Sequence, residues 1–213
     1  MRVKICGLRT RAEVAVAAQS GAAYAGFVFF EKSPRHVTFS DARWIAQELP
    51  NGIQTVALTV DPSDEELAEI REVLGPDMFQ LHGSETPDRV AEVRKRFKVP
   101  VMKAVGVATV EDLEMIDLYA RVADQILVDA RPAPDADLPG GNGISFDWRL
   151  IDGYRWRIPW MLAGGLTPEN VAEAVHLTGA KQVDVSSGVE RSPGHKDPEK
   201  VAAFVAAATG QMA

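Results

Sequence analysis

Short apolar, β-branched runs recur along the chain at Val3–Cys6, Tyr24–Phe29, Thr55–Val60, Met78–His82, Val101–Val105, Gln125–Asp129, Trp160–Ala163 and Val183–Ser186. Their length and composition suit buried strands. Most are followed by a turn and then a stretch of helical period: Arg11–Gln19, Asp41–Glu48, Asp64–Leu74, Thr86–Phe97, Val110–Tyr119, Pro168–Leu177 and Asp197–Ala208. Helix-start chemistry supports the helices. Ser40-Asp41 stands before one, and Ser63-Asp64-Glu65-Glu66 puts acids in the first turn of another. In Thr167-Pro168-Glu169 and Asp197-Pro198-Glu199, a proline at the first helical position follows a capping residue. Strands alternating with helices at intervals of about 20 to 35 residues imply a parallel sheet with crossover helices. Eight such units predict an α/β fold, a (β/α)₈ barrel formed as one domain over residues 1–213. The longest irregular piece, Arg131–Ser145, is rich in Pro, Gly and Asp and suits an active-site loop after the sixth strand.

Composition narrows the classes. At 46% hydrophobic and 25% charged, the 213 residues are ordinary for a globular protein, which excludes disordered, collagen-like and disulfide-built chains. The net charge is −7, and the densest basic cluster, Arg94, Lys95, Arg96 and Lys98, reads as a solvated helix end, so no nucleic-acid partner is expected. Cys6 is the single cysteine, which leaves neither an intrachain disulfide nor a cysteine-built metal site. The start, Met1 to Gly7, lacks the apolar run of a signal peptide, and no stretch approaches the roughly 18 apolar residues of a membrane span. A cytoplasmic protein without a membrane partner is expected.

In a barrel of this kind chemistry sits at the carboxyl ends of the strands, with phosphate often held after strands seven and eight. The polar residues at those ends are few. They are Cys6, Arg35 and His36 after strand two, Asp61, His82, Asp129, the Ala163-Gly164-Gly165 turn, and Asp184 to Gly188. Glycine turns let backbone N–H groups approach an anion, so Gly164-Gly165 and Ser186-Ser187-Gly188 together form a candidate phosphate site. Lys4 and Cys6 share one strand face, taken as the barrel interior. Cys6 reads either as a small buried hydrophobe or as a proton acceptor, the latter needing a local field that favours the thiolate. Asp129 closes an apolar strand, where it either caps the next loop or opens onto a pocket. Together the two could supply one acceptor and one donor for enediol chemistry.

The ordered set resembles the phosphoribosylanthranilate isomerase family of tryptophan biosynthesis. The matching segments are Lys4-Ile5-Cys6-Gly7-Leu8, Gly26-Phe27-Val28-Phe29 leading to Ser33-Pro34-Arg35, Gln80-Leu81-His82-Gly83 and Val128-Asp129-Ala130. They continue with Gly140-Gly141-Asn142-Gly143, Phe146-Asp147-Trp148, Ala163 to Val171, Asp184 to Glu190 and Gly194-His195-Lys196-Asp197. The resemblance implies an Amadori rearrangement of the aldose N-(5-phosphoribosyl)anthranilate to the ketose 1-(2-carboxyphenylamino)-1-deoxyribulose 5-phosphate, without a cofactor. It implies that Asp129 is the general acid at the furanose ring oxygen and Cys6 the base at the C2′ proton. It also places Arg35 on the anthranilate carboxylate, a guanidinium being suited to bidentate binding. Backbone at Gly164, Gly165, Ser187 and Gly188, beside Ser186, would hold the phosphate, and Asp184 would contact sugar hydroxyls or orient other groups.

The chain departs from the family pattern in places. Asn142 stands where threonine is common, Ala130 where threonine or serine is common, and the Arg131–Pro139 run lacks the usual lysine. These bear on loop detail rather than on the acid–base pair. His82 either lines the pocket or satisfies a loop carbonyl, while His36 and His195 read as solvated. Trp44, Trp148, Trp156 and Trp160 read as packing residues. Two rival readings remain: a barrel in which Lys103, on an inward face, forms a Schiff base, and a phosphate-binding barrel without catalysis. The expected partner is the small phosphorylated substrate, with the chain a monomer or a homodimer.

Overall fold

Eight parallel strands close on themselves in the computed structural model, which describes residues 1–132, 138–141 and 143–210. They are β1 (Arg2–Cys6), β2 (Tyr24–Phe29), β3 (Gln54–Thr59), β4 (Met78–Leu81), β5 (Val101–Val107), β6 (Gln125–Ala130), β7 (Trp160–Leu162) and β8 (Gln182–Val185). Each pairs with the next, and β8 returns to β1 with Val3 opposite Val183 and Lys4 opposite Asp184. The (β/α)₈ barrel expected from the strand–helix alternation is the architecture observed. Around it run α1 (Arg11–Gln19), α2 (Phe39–Ala46), α3 (Asp64–Leu74), α4 (Pro87–Phe97), α5 (Leu113–Tyr119), α6 (Val171–Thr178) and α7 (Pro198–Thr209). Among the described residues a single 3₁₀ turn, Trp148–Ile151, stands between β6 and β7.

Alternation along each strand divides the buried residues into two layers. Val3, Ile5, Phe27, Phe79, Val101, Val105 and Val183 point outward and pack under the helices with Val14, Ile45, Leu67, Val90 and Phe204. Tyr24, Val56, Met102, Leu127 and Met161 fill the barrel itself. Nearer the carboxyl ends of the strands Cys6, Val28 and Leu58 form a small apolar group. Gly26 belongs to this arrangement: a Cβ there would lie 3.1 Å from the Cys6 sulfur and 3.2 Å from Lys4 Cε, so the interior is packed too tightly for a side chain.

Helix starts follow local chemistry, with two corrections. Ser63 and Glu66 form a reciprocal capping box, and Asp197 caps α7 with Pro198 behind it. In α2 the cap is Thr38, whose hydroxyl accepts the Asp41 N–H, so the helix begins at Phe39, ahead of Ser40. The Thr167-Pro168 segment does not begin a helix. Asn170 Oδ1 accepts the Thr167 N–H while its Nδ2 donates to Gly165 O, which closes a turn and delays α6 to Val171. After β8 the chain makes a 3₁₀ turn (Ser187–Val189) and a short antiparallel hairpin, β9 (Glu190–Ser192) and β10 (His195–Lys196). Asn142 and residues 133–137 of the loop after β6 lie outside the described residues.

Candidate active site

The sequence-derived candidates meet at the carboxyl ends of the strands. Cys6, Arg35, His82, Asp129, Gly164, Gly165, Asp184, Ser186, Ser187 and Gly188 all line one cleft of about 830 Å³, measured to its open mouth. Cys6 reaches it from β1 and Asp129 from β6, three strand positions apart around the ring, so the two approach a bound molecule from different sides.

Each group has defined partners. Asp129 Oδ1 accepts the Ala130 N–H at 2.8 Å, and Oδ2 lies 3.3 Å from His82 Nε2. His82 Nδ1 is 2.8 Å from the amide nitrogen of Gln80. An amide nitrogen only donates, so Nδ1 accepts and Nε2 carries the hydrogen that faces Asp129. Of the two readings offered for His82, the cleft-lining one is observed, and its neighbour there is the Asp129 carboxylate rather than a loop carbonyl. Gly164 accommodates this corner. Its φ is +85°, and a Cβ would stand 2.7 Å from Ala130 N and 3.1 Å from Asp129 Oδ1.

Beneath Cys6, Lys4 Nζ donates to Asp184 Oδ1 at 3.0 Å, with Lys4 fully buried. Burial would lower the Lys4 pKa, but Asp184 and Cys6 outweigh it and hold the ammonium above its ordinary value. The Cys6 thiol goes the other way from what a base needs. Burial pushes its pKa up, and the nearby cations Lys4 and Lys196 offset that only in part. The local field favouring the thiolate is present but does not outweigh burial.

Arg35, in the loop after β2, lies beside the end of β1. Its Nε and Nη2 donate to the two carboxylate oxygens of Glu190 at 2.8 and 2.9 Å, and Nη2 also reaches Gly141 O at 3.3 Å. Gly7 has no side chain where one would meet Arg35 Cδ at 2.7 Å. The phosphate candidates close the remaining side. Gly188 lies so near Leu166 O that a Cβ would overlap it, and Ser186 Oγ donates to Cys6 O at 3.2 Å. Sequence reasoning assigned no role to Glu190, Lys196 or Gln80. All three stood in quoted segments, but nothing local ties Glu190 to an arginine 155 positions away.

Four other readings change. Lys103 points away from the cleft, in register with the outward Val101 and Val105, and donates to Glu85 Oε2 at 2.9 Å and Gly83 O at 2.7 Å. A lysine so placed cannot meet a ligand in the barrel mouth, so the Schiff-base reading falls. Asp61 adopts a left-handed turn (φ 47°) and accepts the Ser84 N–H at 2.8 Å, a loop role. His195 is exposed, as expected, whereas His36 is half-buried with Nδ1 shielded and unpaired among the described residues. Trp156 stacks on Trp160 with centroids 3.9 Å apart, while Trp44 is 54% exposed under Arg11. Among the described residues no group of three or more His, Cys, Asp or Glu is placed to hold a metal, and no helix is long and apolar enough to cross a membrane.

Comparison with known proteins agrees with the geometry. The family model described as N-(5'phosphoribosyl)anthranilate (PRA) isomerase matches residues 3–207. An N-(5'-phosphoribosyl)anthranilate isomerase of Cereibacter sphaeroides is 62% identical, covering 98% of both chains. A crystal structure of monomers generated from the dimeric phosphoribosylanthranilate isomerase of Thermotoga maritima superimposes with TM-score 0.85 at 36% identity, covering 99% of each chain. A phosphoribosyl anthranilate isomerase in complex with reduced 1-(o-carboxyphenylamino)-1-deoxyribulose 5-phosphate gives TM-score 0.86, also at 36% identity and 99% coverage of each. With that much of its length matched in sequence and in fold, the chain belongs to the N-(5'-phosphoribosyl)anthranilate isomerase family.

Proposed function

We propose that Asp129 and Cys6 are the acid and base with which this isomerase of tryptophan biosynthesis converts N-(5-phosphoribosyl)anthranilate to 1-(2-carboxyphenylamino)-1-deoxyribulose 5-phosphate. The observation that carries the reading is their convergence on one cleft from β1 and β6. Asp129 gives its proton to the furanose ring oxygen, the C1′–O bond breaks, and the nitrogen lone pair forms a protonated Schiff base. Cys6, as thiolate, takes the C2′ proton, and the C–H electron pair moves to give the enolamine. Protonation at C1′ and loss of the C2′ hydroxyl proton then yield the ketose. General acid and base groups of this kind each contribute about 10² to 10⁴ in rate.

The rest of the cleft supplies binding. Arg35 takes the anthranilate carboxylate with Nη1, the end that Glu190 leaves uncommitted. Backbone and hydroxyl donors at Gly164, Gly165, Ser186, Ser187 and Gly188 take the ribose phosphate. Asp184, held by Lys4, faces the sugar. The fluorescence of phosphoribosylanthranilate disappears on turnover, which gives the direct assay. Arg35→Ala should raise KM about tenfold or more with a smaller change in kcat; an unchanged KM removes Arg35 from the carboxylate site. The reading further holds that residues 1–213 act as one domain in the cytoplasm, as a monomer or a homodimer. Cell fractionation tests the location and sedimentation velocity the assembly.

A further inference from the structure

The β9–β10 hairpin contributes two buried charges besides the acid–base pair, Glu190 and Lys196. Glu190 holds Arg35 by Nε and Nη2, and the same carboxylate accepts Lys196 Nζ at 2.8 Å through Oε1. Lys196 also donates to Ser186 O at 3.1 Å and is only 4% exposed. Burying an ammonium costs several kcal/mol, and an apolar residue would pack this position more cheaply. The charge count explains why it is there. Arg35 and Glu190 by themselves are a pair of zero net charge, which weakens the pull on a carboxylate. Lys196 restores one positive charge to the cluster.

The neighbouring charges do not duplicate that effect. Lys4 and Asp184 pair with each other. On the outer side of the hairpin, Glu13 accepts the Lys196 N–H at 3.0 Å and the Arg9 N–H at 2.7 Å, and Arg9 Nη1 reaches Gly194 O at 3.4 Å. Lys200, on α7, donates to Glu190 O at 3.0 Å from an exposed position. Burial pulls the Lys196 pKa below its ordinary value, while the adjoining Glu190 carboxylate opposes the pull.

We propose that Lys196 is a specificity-determining positioning residue: acting through Glu190, it gives the Arg35 site the net positive charge that selects substrates bearing a carboxylate on the aryl ring. The inference rests on the assignment of Arg35 to that carboxylate. It separates orientation from charge: Glu190 aims the guanidinium, and Lys196 pays back the charge that aiming it removes.

The test compares two substrates, phosphoribosylanthranilate and its analogue carrying an unsubstituted phenylamine. The readout is the ratio of their kcat/KM values, in which any effect common to both, including one on Cys6, cancels. Lys196→Met and Lys196→Gln should each lower the ratio on the order of tenfold, mainly through KM of the carboxylate substrate. Lys196→Gln keeps a hydrogen-bond donor for Glu190, so it remains informative if the methionine variant does not fold. Lys196→Arg should retain most of the ratio, because it keeps the charge. An unchanged ratio in the glutamine variant, while Arg35→Ala lowers it, overturns the role of Lys196 and leaves Arg35 standing. If Arg35→Ala also leaves the ratio unchanged, the carboxylate assignment fails and the inference fails with it.

Discussion

Two strand lysines of this barrel are equally buried and do opposite things. Lys4 and Lys103 are 0% and 2% exposed, and each donates to a carboxylate, Asp184 at 3.0 Å and Glu85 at 2.9 Å. Lys4 points into the barrel beside Cys6, where its charge acts on the Cys6 thiol. Lys103 points outward, where it ties together the loop from Leu81 to Glu85, and Tyr119 adds a hydroxyl hydrogen bond to Glu85 O at 2.8 Å. Successive side chains on a strand leave on opposite faces, so one position of parity decides whether a buried ammonium serves chemistry or architecture. The comparison also shows why burial and pairing alone are poor guides to function: both lysines have both.

The sharpest challenge to this division comes from the interior. Cys6→Ala and Asp129→Asn should each lower kcat by about 10² to 10⁴ while thermal unfolding stays near that of the unchanged protein. If both variants turned over substrate at the normal rate, the interior would lose its claim to the chemistry. Next comes the exterior lysine. Lys103→Met strands the buried Glu85 carboxylate and should cost about 3 kcal/mol in denaturant unfolding, the low end for a broken buried pair. The cost is at that end because the Asp61 and Gly83 N–H groups still bond Glu85 at 2.9 and 3.0 Å. The folded variant should keep kcat within a few-fold, and borohydride with a keto-phosphate should leave no adduct at Lys103. A loss of kcat as deep as that of Cys6→Ala would erase the distinction.

A smaller effect tests the interior lysine. The Cys6 pKa lies above the ordinary thiol value, so thiolate and kcat/KM should rise with pH toward that displaced value. Lys4→Met removes a cation that favours the thiolate. The rise should then move to still higher pH, and the rate at neutral pH should fall about tenfold. Alkylation of Cys6 by iodoacetamide as a function of pH reads the same shift without substrate; an unmoved midpoint would show that Lys4 acts only on Asp184. The least effect belongs to the helical shell. Ser63→Ala removes the α3 cap and should cost about 1 kcal/mol of stability with kcat unchanged.

Much of this was legible before any coordinates. Strand–helix alternation, with polar residues collected at the strand ends, is a local property that each segment carries by itself. The acid–base candidates, the glycine turns and Arg35 followed from their positions at those ends. Local signals failed where a distant group intervened. Pro168 looked like a helix start until Asn170 closed a turn over it, and Lys103 was weighed on the wrong face because periodicity gives alternation without saying which side is inside.

The sequence thus determined the fold class and the family, and it marked the strand ends that hold the candidate polar residues, since these rest on residue type and spacing. Only the tertiary structure decided what charges those residues meet. The Glu190–Arg35 contact spans 155 positions and the Lys4–Asp184 contact 180, and both exist because the barrel closes and the last hairpin folds back over its mouth. Electrostatic energy depends on distance in space and on exclusion of water, neither of which is written along the chain.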